Sequence, residues 1–61
     1  MTIKELLNHF KNEDQLVDIC TIHIRKGGTI KNILEENNEI LLNFKVDDWR
    51  ISKDNILEID I

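Results

Sequence analysis

From Cys20 to Ile61 the chain is a succession of short apolar runs separated by turn residues, CTIHIRKGGTIKNILEENNEILLNFKVDDWRISKDNILEIDI, and this block constrains the fold most. A period of two puts Cys20, Ile22 and Ile24 on one side of an expected first strand, with Thr21, His23 and Arg25 on the other. Lys26, Gly27 and Gly28 read as a tight turn, because paired glycines supply positive φ without steric cost. A second strand is expected over Thr29 to Glu36, with Ile30 and Leu34 on one side, Ile33 on the other and Asn32 marking a bulge. Asn37 and Asn38 turn the chain into a third strand from Glu39 to Val46, where Ile40, Leu42, Phe44 and Val46 are in phase. Asp47 and Asp48 form the next turn, Trp49 to Ser52 a fourth strand, Lys53 to Asn55 a tight turn and Ile56 to Ile61 a closing strand. Five short strands so connected are expected to curl into a small, strongly bent antiparallel barrel.

Ahead of the barrel, Thr2 and Glu5 have the spacing of a capping box, and Ile3, Leu6, Leu7 and Phe10 follow at the intervals of one helical face. A helix over about 3–12 is expected, with Asn12 as a left-handed C-cap and Lys11 to Gln15 as the link. Too short to persist alone in water, it must dock its apolar stripe on the rest of the chain. The fold class read from the sequence is therefore mainly β with one N-terminal helix, in a single domain over residues 1–61 with the barrel at 16–61.

So short a chain has little interior, yet its hydrophobic residues, 41% of the total, are dominated by Ile and Leu, with no Ala, Pro or Tyr. Some of that aliphatic surface is expected to lie between subunits, which makes a homo-oligomer the expectation. Eight basic and twelve acidic residues leave a net charge of −4, opposite to the usual electrostatic footprint of nucleic-acid binding. The single Cys20 has no partner for an internal disulfide and, flanked by Thr21 and Ile22, is expected to be buried and inert. No apolar run approaches the roughly 18 residues of a membrane span and no signal-peptide core is evident, so a cytoplasmic protein with no membrane partner is expected.

Catalytic chemistry finds no support in the residue pattern. His9 and His23 lack carboxylate or thiol companions at metal-ligand spacing, and adjacent strand residues such as Glu35 and Glu36 point to opposite faces. No phosphate loop, nucleophile elbow or Cys-His arrangement is present, so the reading is a non-enzymatic protein with no cofactor and no metal.

A helix followed by five short bent strands, with a glycine turn after the first strand, is the element order of the Sm-like fold. In CTIHIRKGGTIKNILEENNEILLNFK, Cys20, Ile22 and Ile24 stand at that fold's alternating core positions and Gly27 at its turn glycine. Ile51 to Ile56, ISKDNI, stands where its YKHAI-like stretch falls, and Asn32 where it has a strand-two glycine. The chain thus resembles the bacterial Sm-like family of small β-barrels, the Hfq/LSm type, from the first helix through the barrel. The resemblance implies a ring in which strand four of one subunit pairs with strand five of the next, and single-stranded RNA as a partner. Carried over by position, the purine-binding face falls on His23, Ile30 and Lys31, with Lys26 beside them. The pore-face positions hold Glu39, Ile40, Lys53 and Asp54, of which two are carboxylates that repel phosphate.

The residues also support a second function class. Trp49, the sole tryptophan, combines a large rigid surface with a polar handle, and it follows the acidic pair Asp47 and Asp48. That grouping suits an acidic SH3-like module or small regulator that binds another protein.

Overall fold

The computed structural model describes residues 1–21 and 25–61. Among these residues three short helices and four strands follow one another as α1 (Ile3–Asn8), β1 (Leu16–Cys20), β2 (Arg25–Thr29), α2 (Ile30–Glu36), α3 (Glu39–Leu42), β3 (Asp48–Ile51) and β4 (Ile56–Asp60). The strands form one sheet in the order β2-β1-β4-β3. Two antiparallel hairpins, β1 with β2 and β3 with β4, are joined at the centre by a parallel pairing that sets Val17 beside Leu57 and Ile19 beside Ile59. A parallel pair requires a crossover, and α2 and α3 supply it.

One face of the sheet carries the core. Val17, Ile19, Leu57 and Ile59 meet Ile3, Leu6 and Leu7 of α1, Ile30 and Ile33 of α2, and Leu41 and Leu42 of α3 in a single buried cluster. Removing each such side chain from water contributes about 1.5–3 kcal/mol, the main term opposing chain entropy in so small a domain. The cluster is closed at its rim by hydrogen bonds. Gln15 Nε2 donates to the carbonyls of Leu16 and Asn55, at 3.1 and 2.6 Å, and so ties the start of β1 to the β3–β4 turn. The N-terminus is held by Ile3 N–H to Phe44 and by Val46 N–H to Met1, at 3.0 and 2.8 Å.

The expected first helix forms, with its capping box. Thr2 Oγ1 accepts from Glu5 N–H at 3.2 Å while Thr2 N–H donates to Glu5 Oε1 at 3.0 Å. The helix stops at Asn8 with His9 as its cap, short of Asn12, whose side chain instead accepts from Asp14 N–H. The turn at Asn37, the hairpin turning through Lys53 to Asn55 and the closing strand lie where expected, and Asn37 and Asn55 take the left-handed φ values of 49° and 61°.

The middle of the chain departs from expectation. Residues read as strands two and three are largely helical, since Ile30–Glu36 is α2 and Glu39–Leu42 is α3. Thr29 Oγ1 caps α2 by accepting from Asn32 N–H at 3.1 Å, and Asn38 Oδ1 caps α3 by accepting from Leu41 N–H at 3.2 Å. As a strand, this stretch would leave Ile33 stranded opposite Ile30. As a helix, it brings Ile30, Ile33 and Leu34 to one face, and core packing therefore overrides the β preference of Ile. The glycines read as a turn lie inside β2. Gly28 adopts φ +148°, a conformation that side chains on an L-residue disfavour.

Among the described residues the sheet is open, with β2 and β3 outermost, and is not the expected five-stranded closed barrel. Cys20 is exposed, not buried, because Val17 and Ile19 take the inward phase of β1. The closing strand β4 is also central, with β1 on one side and β3 on the other, so it has no free edge for the expected strand-five pairing between ring subunits.

Candidate interaction surface at the sheet edge

β3 is short and flanked on one side only, by β4. Its register sets Trp49 across from Ile59 and Ile51 across from Leu57, so both point to the face that carries the core. The helical layer does not reach that far. Trp49 and Ile51 each remain 44% exposed, and among the described residues the indole's aromatic neighbour is Phe10, whose ring meets it edge-on at 6.1 Å and 82°. This T-shaped contact holds the indole in place without covering it.

The other face of the strand is charged. Arg50 Nε donates to Glu58 Oε1 across the ladder at 2.7 Å, which raises the guanidinium above its already high ordinary value. Asp48 lies directly opposite Asp60, an arrangement of like charges that costs stability. Further along, Glu58 sits beside Asp18, and Arg25 grips the Asp18 carboxylate through Nε and Nη2, at 3.2 and 2.7 Å. That hydrogen bonding holds Asp18 below the usual carboxylate range.

At the edge itself, Asp48 Oδ1 accepts from Trp49 N–H at 2.8 Å. Ser52 N–H donates inward to Ile56 at 2.9 Å, and the two-residue alternation of an antiparallel ladder then turns the N–H and C=O of Trp49 and Ile51 away from β4. The strand thus presents main-chain hydrogen-bonding groups, an indole and an isoleucine together.

The other expected sites are dispersed. His23 lies outside the described residues. Ile30, expected to touch a base, is 1% exposed in the core, and Lys26 Nζ is bound to Glu36 at 2.8 Å. Lys31 is exposed on α2. Of the pore-face residues, Glu39 and Ile40 begin α3, with Ile40 77% exposed, whereas Lys53 and Asp54 occupy the β3–β4 turn. Asp47 and Asp48 do adjoin Trp49, and Asp48 belongs to β3 where the sequence pattern suggests a turn. For this surface sequence reasoning singles out neither Ile51 nor Arg50, and Phe10 enters it only as part of the apolar face of the first helix. The signal for the first two is the DWRI alternation, which places an acid and a base on one face and two apolar residues on the other.

Among the described residues no helix is long and apolar enough to cross a membrane, and no three His, Cys, Asp or Glu side chains converge as metal ligands. The chain matches no protein-family model, no curated protein and no solved structure.

Proposed function

We propose that this chain is a non-enzymatic protein-interaction module that takes an extended segment of its partner onto the outer edge of β3. The observation that carries the reading is the half-exposure of Trp49 and Ile51 on one face of an outermost strand. Strand addition uses such a surface in two ways, because main-chain hydrogen bonds supply affinity and the side chains along one face supply specificity. The flanking Asp47 and Asp48 favour a segment that brings a cation opposite them. Single-stranded RNA binding has less behind it, since Ile30 is buried and Lys26 is engaged with Glu36. The reading places the module in the cytoplasm, where the exposed Cys20 thiol stays reduced.

Selection of extended peptides from a random library tests the proposal. Peptides that bind the wild type and lose binding to Trp49→Ala are expected. A library that yields no binder, or only binders indifferent to Trp49, overturns it.

A further inference from the structure

We propose that the segment added to β3 belongs to a second copy of this chain: two β3 strands pair antiparallel about a two-fold axis at Trp49, extending the sheet across both copies. The inference rests on the β3 edge being the binding surface, and names its occupant from the charges on that strand.

A two-fold axis perpendicular to the sheet keeps like faces together, so Trp49 and Ile51 must meet inward-facing residues of the partner. Two axes near the middle of β3 satisfy this. An axis at Arg50 sets the two Arg50 guanidinium groups against each other. An axis at Trp49 instead sets each Asp48 against Arg50 of the other copy, twice by symmetry, with the two indoles opposite each other on the apolar face. The strand is self-complementary in this second register alone.

The charges favour the same arrangement. Among the described residues no cation forms an ion pair with Asp48, and Asp60 opposes it directly. An Arg50 arriving from the second copy relieves that opposition. Its Nε remains on Glu58, while the other guanidinium nitrogens are available for Asp48. The main chain changes partners in step. Trp49 N–H, which Asp48 Oδ1 accepts from in the single chain, passes to the Trp49 carbonyl of the second copy, and the Asp48 carboxylate is released to the incoming arginine. On the apolar face the two indoles, each with its own Phe10 against it, meet at the axis, and each Ile51 falls diagonally beside the indole of the second copy and opposite its Asp47.

Sedimentation equilibrium on Asp48→Lys, Arg50→Glu and their mixture tests this directly. The wild type is expected at twice the single-chain mass of 7.2 kDa. Each variant alone replaces both attractive pairs by repulsive ones and is expected to weaken association at least tenfold. An equimolar mixture restores both pairs, since the introduced lysine of one variant faces the introduced glutamate of the other while the retained Arg50 faces the retained Asp48. The mixture is therefore expected to regain the dimer. Circular dichroism checks that each variant is folded. A wild type that stays at 7.2 kDa up to about 1 mM protein, where even millimolar association is populated, overturns the inference. So does an Asp48→Lys variant that dimerises like the wild type, or a mixture that does not recover. If self-association fails while peptides still bind in a Trp49-dependent way, the edge binds a different protein and the functional reading stands; if both fail, neither does.

Discussion

The two outer strands of the sheet have similar length and opposite character. β2 is spent on its own fold. Gly27 and Gly28 offer no side chains, Lys26 reaches to Glu36, Arg25 is clamped to Asp18, and Thr29 ends the strand by capping α2. Such an edge, glycine-rich and bearing engaged cations, discourages another strand from pairing with it. β3 also holds its one cation on a cross-strand carboxylate, Arg50 on Glu58, but it contains no glycine, and its indole and isoleucine are only half covered. On the proposed function, this difference directs association to the β3 edge by blunting the other one.

The greatest damage to this comparison comes from the centre that both hairpins share. Leu57, fully buried in β4, is expected to cost about 2–5 kcal/mol when replaced by Ala, enough to unfold much of so small a domain. Urea denaturation measures it, and a loss below about 1 kcal/mol would mean that the hairpins hold together without the parallel seam.

The next effect strikes the β2 side alone. Gly28→Ala is expected to destabilise by about 1–3 kcal/mol through backbone strain at φ +148°, because the nearest atom to a Cβ there, Asn32 Cβ at 3.7 Å, leaves room for a methyl. An unchanged denaturation midpoint counts against that strain. Thr29→Ala removes the α2 cap and should cost about 1 kcal/mol, with Thr29→Ser recovering most of it.

The smallest effect is one of pH. The hydrogen bond from Arg25 lowers the folded-state pKa of Asp18, so its contribution is complete above the unfolded-state value and is lost as pH falls through the folded value. Glu5, lowered chiefly by Thr2 N–H, acts in the same direction. Denaturation midpoints should therefore fall below about pH 4, and Asp18→Asn should flatten part of that slope. Arg50, raised by Glu58, stays charged throughout and adds no acid dependence of its own. An Asp18→Asn slope identical to the wild type would show that the Arg25 contact does not bind Asp18 more tightly in the folded state.

Local chemistry accounts for the elements that are legible in the sequence. The Thr2 and Glu5 capping box, the asparagine turn at 37 and the alternation of β3 and β4 around Asn55 each act within a few residues, and each is present. α2 and α3 read as strands because Ile and Leu suit strands, while the cues that favour helix, Thr29 and Asn38 as caps with Ile30, Ile33 and Leu34 at helical spacing, carry weight only once a core face exists to receive them. For the interaction surface, Trp49, Asp47 and Asp48 are apparent as residues. That they sit on an edge is not.

The chain order alone contains the helix cap, the turns, the hydrophobic residues and the self-complementary charges of DWRI. The parallel seam between β1 and β4 joins strands 40 positions apart in register, Leu16 beside Ile56, and no local pattern encodes it. That seam makes β4 central, closes its edge to other chains, and moves β3 to the outside. Exposure of Trp49 follows from that non-local pairing, because the area a side chain leaves uncovered depends on which elements pack over it.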